Sequence, residues 1–287
     1  MNMFGKAGEW LRYINMHRSI NYFSQNTAKL ASEPKVIATL TSLPERMEHV
    51  DAAINSIINQ TMPVSEIVFS LPERSKRTQQ AYRIPERFLS HPKISILRAE
   101  RDYGPITKLL PVLQREWNNP NSLILCFDDD IVYPSTFVSD LIAARKQLGD
   151  VALTGVGYTI PPSMRDVDRQ QHKNKGANIK KAKQVDILMG AGGFMVQPNM
   201  FTEEIMNTED IPDEAFFADD LWISFNLAKN KVPCYVAPLT SINPVENLRI
   251  SNSLHSLGRT ENLNGSNNEK MMQRFAKHKF LVNSTVS

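Results

Sequence analysis

Three consecutive carboxylates, Asp128-Asp129-Asp130, stand directly behind the apolar run Ile124-Leu125-Cys126-Phe127 and directly ahead of Ile131-Val132-Tyr133. The apolar run reads as a buried strand, and three adjacent like charges repel one another. Unpaired carboxylates at the end of a core strand are costly, so the placement demands a counter-charge. A divalent cation of the Mg2+ or Mn2+ kind supplies one, because such ions favour oxygen ligands. Held by one or two carboxylates, that ion completes its shell with water and substrate phosphates. The competing account is a solvated acidic turn capping the helix that begins near Ser135 or Thr136.

A second acidic pair, Asp219-Asp220, leads into Leu221-Trp222-Ile223. Alone it would mean only that aspartates complement a helix dipole. Between the two clusters lies Gly190-Ala191-Gly192-Gly193, where backbone can approach a ligand closely or a strand can bulge. Two further stretches place polar groups at strand ends. One, Thr39 to Arg46, lies at the end of the first strand and offers Thr39, Thr41 and Arg46; the other follows Lys93 to Ala99 and offers Asp102, Thr107 and Lys108. Hydroxyls suit a nucleobase or ribose, and Arg or Lys can balance a diphosphate. Singly, each of these is an ordinary solvated turn residue. Their shared placement is what suggests a site, because open parallel sheets bind ligands beyond the carboxyl ends of their strands.

The elements that would position these groups alternate. Strands are expected at 35–41, 65–71, 93–99 and 122–128. Helical spacing is expected over 45–60, with Met47, Val50, Ala53, Ile54, Ile57 and Ile58 on one face. A short helix is expected over 78–89, interrupted at Pro85. Another runs over 106–117, bent or shortened by Pro111, and a further one over 135–148. That order implies an α/β fold with a mainly parallel sheet covered by helices on both faces. After Val151 the pattern changes. A strand reads over 151–159, a basic polar loop over 165–183, a glycine-broken strand over 185–198, a helix over 213–231, a strand over 232–238 and a closing helix over 268–280.

At 287 residues, with 41% hydrophobic and 22% charged residues, the composition is that of a globular protein. A net charge of +3 is too small to argue for nucleic acid as partner, and no basic stripe with interleaved aromatics appears. Cys126 and Cys234 sit inside apolar runs and read as buried reduced thiols. No stretch approaches the ~20 apolar residues needed to span a bilayer, and the first twenty residues lack the apolar core of a secretory signal. A cytoplasmic protein is expected. Residues 9–23 form a weak amphipathic segment, with docking on its own domain, peripheral contact with the inner face of the membrane, or a homodimer contact as its options.

The ordered set "VIATLTSLPER", "ILCFDDDIVYP", "LMGAGGFMVQP" and "FFADDLWISFNLAKNKV" resembles the nucleotide-sugar glycosyltransferases of the GT-A fold, nearer to the exostosin-like enzymes than to the common family-2 enzymes. The resemblance covers roughly Lys35 to Ala237. It implies an Asp-X-Asp motif at Asp128–Asp130, with Asp130 as direct ligand of Mn2+ or Mg2+, Asp128 at donor ribose or sugar, and Asp129 sharing either task. It implies nucleotide contacts at Thr41 and Arg46 and diphosphate balance at Lys108. Asp220, with Asp219 as competitor, would stand beside the reacting anomeric carbon, as base in an inverting enzyme or as a positioning group in a retaining one. A late histidine, His255, is a candidate extra metal or phosphate contact, and Arg259 a candidate diphosphate contact.

The expected organisation is an N-terminal helical extension (1–30), a GT-A domain (31–240), and a C-terminal loop and helix (241–287) completing that domain. The expected activity is metal-dependent transfer of a hexosyl or N-acetylhexosaminyl group from a nucleotide-diphosphate sugar, a UDP-sugar first, to a glycan or lipid-linked acceptor. Two alternatives stay open: a metal-dependent nucleotidyltransferase, and a non-catalytic nucleotide-sugar-binding relative.

Overall fold

The computed structural model describes residues 3–20, 35–207, 212–247, 250 and 265–277. In chain order the elements are α1 (Met3–Met16), β1 (Val36–Leu40), α2 (Asp51–Ile58), β2 (Glu66–Leu71), α3 (Glu86–Leu89), β3 (Ile94–Arg98), α4 (Leu110–Arg115), β4 (Leu123–Cys126), β5 (Ile131–Val132) and α5 (Phe137–Leu148). The second part contributes β6 (Ala152–Thr154), β7 (Val156–Tyr158), β8 (Lys173–Lys175), β9 (Lys183–Val185), β10 (Ile187–Leu188), β11 (Phe194–Val196), α6 (Asp219–Lys229), β12 (Cys234–Val236), β13 (Val245–Glu246) and α7 (Ser266–Lys277).

Eight strands form one sheet in the order β3-β2-β1-β4-β11-β6-β12-β9. Within it β1, β2, β3 and β4 pair in parallel throughout, while β5 pairs antiparallel with β13 outside this sheet. β11 runs antiparallel between β4 and β6, β12 is parallel to β6, and β9 closes the edge antiparallel to β12. The protein is therefore α/β with a mostly parallel central sheet, and helices cover both faces. Alternation along the strands divides the core. Ile37, Ile124 and Cys126 pack on one face with α4, α6 and α7. Val36, Ala38, Leu40, Leu123 and Leu125 pack on the other with α2 and α5. Period-2 alternation demands this split, and each large side chain so buried contributes roughly 1.5–3 kcal/mol. Cys126 and Cys234 are free and buried.

Several elements differ from the sequence expectation, each for a local reason. The helix expected over 45–60 begins only at Asp51; Pro44–Arg46 is a 3-10 turn, and Arg46 is drawn into ion pairs with Asp129 and Asp130. Over 78–89 only Glu86–Leu89 is helical. Arg74 bridges to Ala81, and Gln79 has φ 59, so the chain turns back there. The helix expected over 106–117 is shortened at Pro111 and not bent: α4 spans Leu110–Arg115 with Pro111 in its first turn, where the missing N–H costs nothing, and Gly104–Lys108 ahead of it is a 3-10 segment. The strand expected over 151–159 splits into β6 and β7, which join different sheets. At the break the Thr154 hydroxyl takes the Val156 N–H at 3.2 Å and donates to Gly193 O at 2.7 Å, diverting the chain from the ladder. The basic stretch 165–183 is not a bare loop, since it holds the 3-10 segments Asp166–His172 and Gly176–Asn178 together with β8.

α1 docks on the chain's own domain. Tyr13 and Met16 are buried against Ala52 and Val132. The Tyr13 hydroxyl donates to Glu246 O at 2.6 Å, and Arg12 donates to Tyr133 O at 2.8 Å. Trp10, Leu11 and Ile14 face outward. Among the described residues no helix is long and apolar enough to cross a membrane.

Candidate active site

The carboxyl ends of β1 and β4, the segment after β3 and the start of α6 converge on one cavity of about 230 Å3. Thr41, Arg46, Lys108, Asp128, Asp129, Asp130, Asp219 and Asp220 all line it. The topology explains the convergence. β1 and β4 are neighbours in the parallel sheet, so the chain leaves both at the same edge. His255 and Arg259 lie outside the described residues.

Three negative charges at the tip of β4 are tolerated because the protein supplies its own cations. Arg46 Nη1 donates to Asp129 Oδ1 at 2.9 Å and to Asp130 Oδ2 at 3.3 Å. The other oxygen of Asp129 accepts from Ser42 Oγ. Both oxygens of Asp129 are thus engaged, and its side chain turns into the fold. Asp128 meets Lys108, whose Nζ donates to Oδ1 at 2.7 Å. The same ammonium lies 3.0 Å from Asp219 Oδ2, an ion pair without hydrogen-bond geometry. Lys108 is therefore shared by the acidic run of one part of the chain and the acidic pair of the other.

Gly190 stands at the centre of this junction. Its N–H donates to Asp220 Oδ1 at 2.8 Å. A Cβ here would fall 2.7 Å from Lys108 Nζ, 3.0 Å from Asp220 Oδ1 and 3.1 Å from Asp128 Oδ1. A side chain here would have to push the Lys108 ammonium aside and crowd both carboxylates. The glycine stretch is thus a close approach of backbone to the acidic groups, and Gly190–Gly192 forms a 3-10 turn.

Electrostatics separates the carboxylates. Burial pushes the Asp220 carboxyl up to about 8, with the Asp219 charge adding to it and Lys108 opposing. Burial, Asp129 and Asp128 push Asp130 up to about 7 against the pull of Arg46. Burial works against the Lys108 charge, but Asp128, Asp219 and Asp220 outweigh it and hold its pKa well above the ordinary value. The site thus pairs firmly charged cations with two carboxyls that burial and like-charged neighbours push toward the protonated form, an arrangement suited to proton transfer.

Some residues read as ligand contacts are structural. The Thr39 hydroxyl is buried and donates to Lys108 O at 2.6 Å, tying β1 to the turn that carries Lys108. Thr107 Oγ1 accepts from Tyr103 N, and Asp102 accepts from Lys76 N and Gly104 N. Other residues were not singled out from sequence. Tyr133 is fully buried against Phe127 and Phe137. Its hydroxyl accepts from Asp128 N at 2.9 Å and donates to Gly190 O at 3.4 Å. Ser42, Arg77, Tyr82 and Phe216 also line the cavity. Nothing in the sequence around these five residues separates them from ordinary core or turn positions.

Oxygen-rich carboxylates facing a cavity fit a hard divalent cation such as Mg2+ or Mn2+. Among the described residues no three His, Cys, Asp or Glu side chains converge as a complete protein ligand set.

No protein-family model and no curated protein matches the chain. Among solved structures it is similar to GalNAc-T7 with UDP, GalNAc and Mn2+, at 11% identity and TM-score 0.48, over 84% of this chain and 51% of that one. It is similar to S. aureus TarS at 15% identity and TM-score 0.47, over 88% of this chain and 44% of that one. It is also similar to S. aureus TarS 1-349 in complex with UDP at 15% identity and TM-score 0.43, over 71% and 60%. The chain spans between 44% and 60% of the length of these structures.

Proposed function

We propose that this chain is a metal-dependent GT-A glycosyltransferase that moves a hexosyl or N-acetylhexosaminyl group from a nucleotide-diphosphate sugar, a UDP-sugar first, to a glycan or lipid-linked acceptor. The observation that carries the reading is the meeting of Asp128–Asp130 and Asp219-Asp220 across Lys108 in one cavity at the carboxyl edge of the sheet. A strand-end acidic run suits a cation and diphosphate, and an acidic pair opposite it suits the reacting sugar.

Asp128 and Asp130 would hold the Mn2+ or Mg2+, and the bound ion would supply charge neutralisation to the departing diphosphate. Asp129 fixes Arg46 and Ser42, and so shapes the loop after β1 that faces the nucleotide. Thr41 and Arg46 line the donor side, while Lys108 adds a fixed positive charge between diphosphate and acidic pair. In an inverting transfer the Asp220 carboxylate takes the proton of the acceptor hydroxyl, and its raised pKa makes it a stronger base than a solvated aspartate. Asp219 holds Lys108 in place.

The test is nucleotide release from a panel of nucleotide sugars by purified protein in Mn2+, Mg2+ or chelator, with a thermal-shift screen of the free nucleotides alongside. Nucleoside diphosphate release that requires the ion is expected. No release from any donor and no shift with any nucleotide would sink the proposal. Pyrophosphate release would move the assignment to nucleotidyl transfer.

A further inference from the structure

Beside the cavity of the acidic groups lies a larger one of about 1000 Å3, at the carboxyl ends of β2 and β3. The two share Arg77, Asp102 and Phe216 as a common wall. Phe216 belongs to the 3-10 segment Asp213–Phe217, which leads into Asp219 at the head of α6. It is fixed from two sides. Lys76 Nζ stands 4.8 Å over its ring. Gly104, at φ +71, lets the chain pass so close that a Cβ would stand 2.8 Å from Phe216 O and 3.1 Å from the ring. The larger cavity is therefore preformed, and its inner wall borders the cavity of Asp219 and Asp220. Its volume lies at the top of the ~300–1,000 Å3 range of small-molecule pockets.

Its lining is chemically mixed. Three aromatic rings, Tyr103, Phe216 and Phe217, face it. Arg74, Lys76, Arg77 and Arg101 supply positive charge. Glu73, Glu100, Asp102 and Asp213 supply an equal number of negative groups. The formal charges cancel, so neither an anionic nor a cationic ligand gains net attraction. A sugar hydroxyl both donates and accepts, and this lining offers carboxylates as acceptors beside guanidinium groups as donors. The C–H faces of sugar rings pack on aromatic rings as other apolar surface does. A lipid tail would instead need an apolar wall.

We propose that this second cavity binds an uncharged oligosaccharide, oriented so that one end reaches past Phe216 toward Asp220. Its role as the acceptor rests on the glycosyltransferase reading; the binding itself does not.

The test uses the full chain and a panel of linear tetrasaccharides, of neutral hexoses, of neutral N-acetylhexosamines and of uronates, titrated by saturation-transfer NMR. Thermal shift with UDP and Mn2+ runs in parallel. A neutral tetrasaccharide should bind, and Phe217→Ala should weaken it about tenfold or more, as loss of an aromatic anchor does. Phe217→Trp should keep affinity within about threefold, and the UDP response should match wild type in every variant. Arg101→Ala, on the opposite wall, decides the matter if Phe217→Ala does not fold, with an expected loss of about fivefold. Absence of binding by any neutral member, wild-type affinity in both alanine variants, or binding of the uronate alone would overturn the proposal. Saccharide binding that responds to these variants without any UDP response would support it and reject the glycosyltransferase reading.

Discussion

The acidic run is compensated in two different ways. At Asp129 and Asp130 the counter-charge is Arg46, from the turn after the neighbouring strand of the same parallel unit. At Asp128 it is Lys108, which also reaches Asp219 at the head of α6. The first pairing is local to the β1–β4 unit and shapes its loop. The second spans the two parts of the chain and holds the acidic run against the acidic pair. One cluster therefore does two jobs, and substitutions should separate them.

Removing the bridging cation should have the largest effect. Lys108→Ala leaves three carboxylates without their shared partner in a buried place, and such losses cost about 3–5 kcal/mol. Urea unfolding should show that loss together with loss of activity. An unchanged midpoint would mean that the two parts of the chain are held by packing alone. Gly190→Ala comes next, because its Cβ must displace Lys108 Nζ and Asp220 Oδ1. Turnover should fall at least about a hundredfold, or ~2.7 kcal/mol of barrier, with a smaller loss of stability.

Arg46→Gln should be milder. It loosens the loop after β1 and raises KM for the donor about tenfold, while leaving contacts between the two parts intact. Equal damage from Arg46→Gln and Lys108→Ala would erase the distinction between the two pairings. The smallest effect concerns pH. Asp220, raised to about 8, and Asp130, raised to about 7, keep their protons in the folded chain after the unfolded chain has released them. Stability of the ligand-free protein should therefore fall as pH climbs from the ordinary carboxylate range to about 8. Asp220→Asn should flatten that fall, shrinking the Tm difference between about pH 5 and pH 9 by at least ~2 °C. An identical decline in the variant would show that Asp220 is ionised throughout.

The contrast also explains what could be read from sequence. In the β1–β4 unit the strands are four to six residues long and mostly apolar, and turn chemistry marks their ends. The acidic run, Thr41, Arg46 and Lys108 could therefore be placed on one edge before any coordinates. In the second part the strands are two or three residues long, and 3-10 turns occupy much of the chain between them, outside α6 and α7. There Thr154 diverts a strand through a side-chain hydrogen bond that no periodicity reports. The contact of Lys108 with Asp219 joins residues more than a hundred positions apart, and nothing in either local pattern names its partner. Arg46 was read as a nucleotide contact; its pairing with Asp129 and Asp130 depends on the neighbouring positions of β1 and β4. Tyr133, between Asp128 and Gly190, looks in sequence like one more core aromatic.

On the proposed function, the tip of β4 would hold a divalent cation together with a nucleotide diphosphate. Calorimetric titration of UDP into the wild-type chain and Asp130→Ala, each with Mn2+ and with chelator, tests it most directly. UDP binding should require Mn2+ and weaken at least about tenfold in Asp130→Ala, with the variant as folded as wild type by circular dichroism. UDP affinity unchanged by chelator and by the substitution, or no UDP binding in any condition, would contradict it.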